Sequence, residues 1–457
     1  MNDRPLLNLS GQAKRDRSII LAAFFGFVFL AILAWFGFYP GTMSPDSYEQ
    51  YEQAKSFRFD AHHPPAMAAL WSALLPIKDG PQPMLILQIG LYFTCWFLLF
   101  KTFWSSGQHR LAIAVGLCSL APFCLNFVGV IWKDVHNALP WFFVAIIAIF
   151  FPPKTKLSIV LLLVALWYGW MVRGNAILAV LPLIFLVLHR TERKMITTGG
   201  MVAIAFALFF VGKTIVHDVM LQPSHSDPYS RAMVHDLAGI RHYGGNPTLP
   251  PTLVSDNPQL ERQLSHYEPG DIKSILFENP DGNILLRKSD PDAMVDLRSA
   301  WLASVTGNPL AYARHRLAFS LDFVHVFRGR GYYLREIHFP EPAKEAGVPT
   351  AYLMPSKIMQ GWPLFWERWP FMQGWFWVLG LIGLGIVGFR LRTVSDGQNL
   401  LALSSSGILY LGPHFVFGQA ADFRYFYWAI FCVILGAIIL LASRSRKRAP
   451  EAIQSPS

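Results

Sequence analysis

The chain has 457 residues, of which 53% are apolar and only 15% are charged. Because soluble domains usually carry about 25% charged residues, this composition argues against a wholly water-soluble fold, a disordered chain and a coiled coil. The net charge of +10 comes from Lys and Arg beside apolar segments, which indicates membrane topology, so we expect no nucleic-acid partner. All four cysteines lie in apolar segments and predict neither a disulfide framework nor a zinc site.

Ten apolar segments predict membrane-spanning helices of about 20 residues each. They begin near Ile19, Met84, Leu111, Val135, Leu157, Ala176, Met195, Phe371, Asn399 and Phe423. If the N-terminus is cytoplasmic, the inner segments hold seventeen Lys and Arg residues and the short outer loops hold six. This bias towards positive inner loops predicts that both termini are cytoplasmic.

These segments divide the chain into five parts. The parts are a basic cytoplasmic tail (1–18), a seven-span membrane domain (19–216) whose first outer loop is 40–83, an outer insertion (217–370), three last spans (371–443) and a cytoplasmic tail (444–457). The insertion is nearly neutral, with 15 Lys and Arg against 17 Asp and Glu. Since Asn308-Pro309 is typical of a helix start, we expect a mainly helical periplasmic insertion between spans seven and eight.

The first outer loop contains acidic and histidine side chains at the predicted mouth of the membrane domain. Ser44-Pro45 predicts a helix start, with Asp46 in the first turn and Glu49 one turn later. Asp46 is either a carboxylate that favours the helix dipole or a general base. His63, before Pro64, either turns the chain before an amphipathic helix or belongs to the same site.

Three other loops place polar residues on the same predicted membrane face, and these are Lys133 and Asp134, Arg173 and Asn175, and Arg424 and Tyr425. Lys133 and Asp134 have a simple structural explanation as a snorkelling pair, and Arg424 and Tyr425 as an interfacial anchor. Arg173, in a tight outer turn, opposes the positive-inside trend and fits such an explanation less well. Together they predict a basic ring around a single carboxylate. Such a ring suits a site that binds a lipid phosphate and deprotonates a hydroxyl group.

Over most of its length the chain resembles the GT-C superfamily of polytopic glycosyltransferases, and in particular a bacterial group within it. The resemblance lies in short motifs: Ser44-Pro45-Asp46-Ser47, His63-Pro64-Pro65, Trp132-Lys133-Asp134, Arg173-Gly174-Asn175, Asn308-Pro309 with Tyr312 and Arg316, and Arg424-Tyr425. It implies a GT-C-like enzyme of the bacterial inner membrane. Such an enzyme moves a sugar from a polyprenyl-phosphate donor to a glycan, lipid or protein acceptor on the outer face.

The resemblance also implies roles for individual residues. Asp46 would activate the acceptor, with Glu49 and His63 beside it in the catalytic group. Lys133, Arg173 and Arg424 would bind the donor phosphate, and the supporting residues would be Asp134, Asn175, Tyr425 and Arg316. No cofactor and no metal ligand is predicted. The use of a divalent metal is left open, because the chain lacks the paired acids that better-known members carry at the Asp46 position.

Other functions fit the same topology. An O-antigen polymerase or ligase also combines many spans with a large outer loop, but it would rely on arginines there, which are Arg314 and Arg316 in this chain. A transporter or flippase usually carries ionisable residues or broken helices at mid-membrane, and the predicted spans have few such charges. A scaffold would leave the polar residues of the outer loops unexplained.

Overall fold

The computed structural model describes residues 4–60, 63–189, 195–224, 227, 229–277, 280–326 and 361–448. Within these ranges the chain is predominantly helical and forms isolated β-bridges but no β-strand. The predicted α-helical class is therefore confirmed for the described residues. Part of the predicted insertion, residues 327–360, lies outside them.

The predicted seven-span membrane domain contains the first ten α-helices. These are α1 (Arg4–Phe38), α2 (Pro45–Ser56), α3 (Ala66–Leu74), α4 (Gln82–Ser105), α5 (His109–Cys118), α6 (Pro122–Leu125), α7 (Lys133–Phe150), α8 (Lys156–Val172), α9 (Leu181–His189) and α10 (Met195–Lys213), which continues as a π-helix over Thr214–Leu221. The insertion then contributes α11 (Ser230–His242), α12 (Pro251–Asp256), α13 (Leu260–Ser265), α14 (Lys273–Leu276), α15 (Pro291–Gly307) and α16 (Pro309–Phe323). The chain ends with α17 (Gly374–Arg390), α18 (Ser395–Phe417) and α19 (Tyr427–Arg448).

Several of these helices are long and apolar enough to cross a membrane, as expected for a multi-pass membrane protein. Six qualify within the described residues, or seven if α5 and the segment Pro122–Gly129, bent by 57°, are one broken span. Two further apolar helices, α8 and α17, have 17 residues each. The remaining predicted span corresponds to α9, of which nine residues are described, up to the gap at 190–194. The predicted number of ten spans is thus not confirmed.

Two helices expose long apolar faces. The most apolar 18-residue windows of α1 and of α10 with its π-helical extension are each only 11% buried. Side chains such as Phe25, which is 61% exposed, and Leu208, also 61% exposed, point away from the protein. An apolar surface of this extent is unfavourable in water and favourable in lipid.

The apolar helices, including the inner faces of α1 and α10, pack into one bundle with a continuous buried core. Helix α4 contacts α1, α5 and α7, helix α7 contacts α8 and α19, and α17, α18 and α19 all contact one another. The contact between α17 and α18 depends on Gly388, because a Cβ atom there would lie 2.9 Å from the backbone nitrogen of Leu401. Small residues permit this close approach of helices in a membrane environment.

The insertion has a second apolar core of its own, formed by residues of α11 to α15, in which α11 packs on α15. Helix α16 also contacts α11, but its Phe319 and Phe323 belong to the core of the bundle. A polar network lies beside this core. Asp236 accepts a hydrogen bond from Trp301 Nε1 at 2.7 Å, lies 2.8 Å from His315 Nε2 and forms an ion pair with Arg316. Tyr267 Oη is 2.7 Å from His315 Nδ1. These buried polar groups have partners, as stability requires.

Low pH should lower the free energy of unfolding of the insertion, because its buried histidines resist protonation in the folded state. Burial and the neighbouring His315 lower the pKa of His235 to about 3, whereas an unfolded histidine has a pKa near 6.5. Below about pH 6.5 the unfolded state binds a proton that the folded state excludes, so stability falls as the pH falls. At pH 5 this one histidine lowers the free energy of unfolding by about 2 kcal/mol.

Thermal unfolding of the protein in detergent should therefore show a Tm that drops from pH 7.5 to pH 5. The His235→Gln variant lacks this titration and should lose less of its Tm over the same range. An equal drop in Tm in the variant and in the wild type would show that His235 is not the group responsible for the acid sensitivity.

Candidate functional site

The start of α2 places Asp46 at one end of the bundle. Ser44 Oγ accepts a hydrogen bond from Ser47 N at 3.4 Å, and Ser47 Oγ accepts one from Ser44 N at 3.2 Å. This reciprocal cap, with Pro45 in the first turn, confirms the predicted helix start. Asp46 follows directly in the first turn and is half-buried, with 34% of its side chain exposed.

Backbone contacts tie this segment to the start of α7. Thr42 N donates to Gly129 O at 2.9 Å, and Ile131 N donates to Thr42 O at 2.9 Å. Trp132 Nε1 donates to Ser44 Oγ at 2.8 Å. Because Trp132 precedes α7, these bonds place Asp46 beside Lys133 and Asp134 at the beginning of that helix.

Asp46 contacts a charged group from the opposite end of the sequence. Its Oδ2 accepts a hydrogen bond from Arg424 Nη2 at 3.0 Å, and its Oδ1 lies 3.9 Å from His63 Nε2. Burial by itself raises the pKa of Asp46, but the charges of Arg424 and Lys133 outweigh it and hold that pKa below its usual range. The carboxylate therefore stays ionised at any physiological pH.

His63 joins Lys133 to two acids of α2, Asp46 and Glu49. Lys133 Nζ lies 3.0 Å from His63 Nδ1, and His63 Nε2 lies 3.0 Å from Glu49 Oε2. An ammonium group has no acceptor, so Nδ1 accepts from Lys133 and the ring hydrogen lies on Nε2, towards Glu49. Burial and the Lys133 charge lower the pKa of His63 in spite of Glu49, which keeps the imidazole neutral near pH 7.

Asp134 is the fully buried carboxylate of the cluster. It forms an ion pair with Arg173 Nη1, and its Oδ2 lies 3.7 Å from Arg424 Nε. Asp422 is a third acidic partner of Arg424, at 2.8 Å between Oδ2 and Nε. Burial raises the pKa of Asp422 to about 6, although Arg424 opposes this rise.

The remaining contacts of the arginines involve aromatic and histidine side chains. Arg173 Nη2 lies 2.9 Å from His414 Nε2, to which Asn175 Nδ2 comes within 3.5 Å. The Arg173 guanidinium lies 4.8 Å from the ring centre of Tyr425. That of Arg424 lies 4.5 Å from the ring centre of Trp132. Such cation–π contacts further orient both guanidinium groups.

The insertion holds the loop between α18 and α19, which leads into Arg424. Ile272 N donates to Gln419 O at 3.0 Å, and Ala421 N donates to Gly270 O at 2.8 Å. Arg316 Nη1 donates to Gly418 O at 2.8 Å. Arg316 thus helps to hold this loop. Because it is paired with Asp236, it does not join the Asp46 cluster.

The structure brings together every other predicted site residue, but the expected basic ring around a single carboxylate is wrong. Asp134, Asp422 and Glu49 accompany Asp46, so Lys133, Arg173 and Arg424 are balanced by four acids. The physical reason is the cost of desolvation, because a buried guanidinium is tolerated only with a close counter-charge.

A cleft of about 920 Å³ opens beside this cluster. Residues from α2 and Asp60 line one side, and residues of the insertion line the other: Tyr48, Glu49, Glu52, Gln53 and Asp60, opposite Arg231, Leu286, Arg287, Lys288, Ser289 and Asp290. Glu49 belongs both to this lining and to the His63 contact. The cleft and the charged cluster are therefore adjacent.

Sequence reasoning missed the cleft and the role of His414. The helical spacing from Glu49 to Glu52 and Gln53 would have placed these side chains on nearby faces of α2. No local pattern relates α2 to the segment 286–290, since that wall forms only when the insertion packs on the first loop. Within the described ranges, no group of three or more His, Cys, Asp and Glu side chains is arranged to hold a metal ion.

Comparisons with known proteins found no relative whose function could be transferred to this chain. No protein family, no curated protein and no solved structure matches the chain.

Removal of Asp134 should destabilise the bundle strongly. In Asp134→Asn, Arg173 loses its carboxylate partner in a buried position, which typically costs about 3–5 kcal/mol. The double variant Asp134→Leu with Arg173→Met removes both charges and should recover most of this loss. The measurement is the Tm in detergent. If Asp134→Asn is as stable as the double variant, the unpaired Arg173 charge does not destabilise the bundle, which contradicts the prediction.

Proposed function

We propose that this protein is a glycosyltransferase of the bacterial inner membrane. It would move a sugar from a polyprenyl-phosphate donor to an acceptor hydroxyl on the outer face, with Asp46 as the general base. The observation that carries the proposal is the position of Asp46, which is ionised, partly exposed and part of a charged cluster. One member of this cluster, Glu49, also lines a large cleft. The resemblance to GT-C glycosyltransferases supports the same role for a first-loop acid.

The reaction is a displacement at the anomeric carbon of the donor sugar. The acceptor oxygen forms a bond to this carbon, while the bond from the carbon to the phosphate oxygen breaks. The hydroxyl proton passes to Asp46, and polyprenyl phosphate leaves with the electron pair of the broken bond. The hydroxyl becomes acidic as its oxygen bonds to carbon, so a carboxylate with a lowered pKa is still a competent acceptor for the proton.

Lys133 is the best donor-phosphate ligand of the three predicted cations. Arg173 and Arg424 are held by ion pairs with Asp134, Asp422 and Asp46. The Lys133 ammonium is half-buried, and its hydrogen-bonded neighbour His63 is a neutral acceptor. Two of its three donors are thus available to a phosphate group. The two arginines then stabilise charge in the site and fix the position of Asp46.

The arginines of the insertion favour this proposal over the polymerase or ligase alternative. Arg316 is bound to Asp236 and to Gly418 O, and Arg314 is exposed. Among the described residues neither arginine pairs with Asp46, whose guanidinium partner is Arg424. An enzyme that depends on these two arginines would need them at its reacting centre.

The proposed orientation places the insertion in the periplasm and both termini in the cytoplasm. Ser289 is exposed in the insertion, so a Ser289→Cys variant should react with a membrane-impermeant maleimide on intact cells. A Ser445→Cys variant, near the end of α19, should react only after the membrane is permeabilised. Wild-type protein controls for reaction at the native cysteines. Labelling of the Ser289→Cys variant only after permeabilisation would reverse the topology and remove the proposed site from the outer face.

Replacement of the base should abolish most turnover without unfolding the protein. Asp46→Asn keeps the shape of the side chain but removes its basicity, and loss of a general base costs about a hundredfold to ten-thousandfold in rate. The assay is release of polyprenyl phosphate from a polyprenyl-phosphate sugar in detergent, with acceptor supplied. Glu261→Gln is the matched control, because Glu261 is an exposed acid of the insertion that pairs with Arg241. Near wild-type turnover in Asp46→Asn, together with loss of turnover in Glu49→Gln, would move the chemistry to a different carboxylate.

A further inference from the structure

A short aromatic segment, residues 361–372, directly precedes α17. Aromatic residues make up 14% of the chain but five of the twelve residues here: Trp362, Phe365, Trp366, Trp369 and Phe371. The segment is helical over 361–365 and ends in a 3₁₀ turn over Pro370–Met372. The ring centre of Trp366 lies 5.0 Å from that of Phe365, 5.6 Å from that of Trp362 and 5.5 Å from that of Trp369. These rings therefore form one continuous patch.

The patch is apolar and yet exposed at the surface of the protein. Phe365 is 73% exposed and Trp369 is 51% exposed, and Trp362 and Leu364 are exposed as well. A contiguous exposed surface of large apolar side chains is unfavourable in water and marks a contact with lipid or with another apolar surface.

Backbone contacts place the segment at the end of α17 that is next to the insertion. Trp375 N, in the first turn of α17, donates to Val324 O at 2.7 Å. Gly374 N donates to His325 Nδ1 at 3.1 Å. Val324 and His325 directly follow α16, so the insertion and the aromatic segment meet at the same end of α17.

The exposed face of α17 begins just after the segment and points to lipid as the occupant. Its members are apolar along the whole helix and include Leu379, Ile382, Ile386 and Phe389. The 17 residues of α17 extend over about 26 Å, which is less than a hydrocarbon core of about 30 Å. The aromatic residues before α17 therefore fall at the depth of the membrane–water interface, where Trp is enriched.

The inner side of the segment binds the bent pair formed by α5 and the segment Pro122–Gly129. Trp362 Nε1 donates to Leu120 O at 3.2 Å, and the ring centre of Phe371 lies 5.2 Å from that of Phe123. A backbone carbonyl near a bend is costly in lipid unless it has a donor. The bond from Trp362 meets this requirement, while the exposed part of the same indole remains available to lipid.

The charges of the segment are compatible with a bilayer surface. Its charged residues are Glu367 and Arg368, which are neighbours of opposite sign. The segment is therefore neutral overall, and lipid headgroups of either sign would not repel it as a whole. Short segments with large aromatic side chains on one face and a polar remainder typically lie in the plane of the interface.

We infer that residues 361–372 form an interfacial anchor, which lies in the bilayer leaflet next to the insertion and places Trp362, Phe365 and Trp369 against lipid. Residues 361–370, part of the predicted insertion, then belong to the membrane surface. The inference concerns contact with lipid and does not depend on glycosyl transfer.

Spin labels test the anchor on the full-length protein in nanodiscs of phosphatidylethanolamine and phosphatidylglycerol. A nitroxide at Phe365→Cys should be relaxed more by oxygen, which concentrates in lipid, than by a water-soluble nickel complex. The measurement is the ratio of the two accessibilities in power-saturation electron paramagnetic resonance. This ratio should be several times higher than at Leu302→Cys, an exposed position of α15 in the insertion, and should approach that at Ile382→Cys on α17. Wild-type protein controls for labelling of the native cysteines.

A ratio at Phe365→Cys no higher than at Leu302→Cys would place the segment in water and overturn the inference. A label that neither reagent reaches would show that protein covers the patch, which would also overturn it.

A second measurement avoids both the label and the loss of a large side chain. Lipids brominated near the top of the acyl chains quench tryptophan fluorescence at the depth of the interface. Trp369→Phe keeps an aromatic ring in the segment and should lose part of the fluorescence that these lipids quench in the wild type. If the quenched part of the emission is the same in Trp369→Phe and in the wild type, Trp369 does not contact lipid and the anchor is wrong.

Discussion

The buried carboxylate of Asp134 is the charge on which the arrangement of the site depends. It lies at the start of α7, is fully buried and pairs with Arg173, while Arg424 lies within 3.7 Å of its second oxygen. A guanidinium without such a partner would be too costly to bury in this bundle. Since Arg173 follows α8 and Arg424 precedes α19, one acid fixes the relative positions of three helix ends. Arg424, held in this way, also binds Asp46 and keeps that carboxylate ionised.

The insertion is coupled to the same cluster through the loop between α18 and α19. Backbone bonds from Gly270 and Ile272, with the side chain of Arg316, hold residues 418–421. This loop continues directly into Asp422 and Arg424. The insertion therefore has two structural roles, because it forms a wall of the cleft and supports the loop that carries a cation of the site. A change in its position would alter both the cleft and the charge beside Asp46.

Local features of the site could be predicted from sequence, and long-range ones could not. The cap at Ser44 and the position of Asp46 in the first turn follow from neighbouring residues, and the structure confirms them. Asn308 also precedes a helix as predicted, but its Oδ1 accepts from Asn246 N at 3.0 Å instead of capping that helix. The apolar segments predicted the helices of the bundle, but the segment that begins near Ala176 becomes α-helical only from Leu181, because a 3₁₀ turn follows Arg173.

The balance of charge was the main feature that the sequence concealed. Lys133, Arg173 and Arg424 were correctly placed together, yet sequence gives no sign of which acids lie between them. Asp134 was visible beside Lys133, but its real partner is Arg173, from another loop. The second wall of the cleft could not be predicted from the sequence either, since the segment 286–290 meets α2 only through the packing of the insertion.

The most direct test of the central claim is a structure of the protein with a non-hydrolysable polyprenyl-phosphate sugar, determined by electron cryomicroscopy in a lipid nanodisc. The account predicts that the phosphate lies within hydrogen-bonding distance of Lys133 Nζ and that the anomeric carbon faces Asp46 and the adjacent cleft. A phosphate bound at another end of the bundle, or a sugar turned away from Asp46, would contradict the assignment of this cluster as a glycosyl-transfer site.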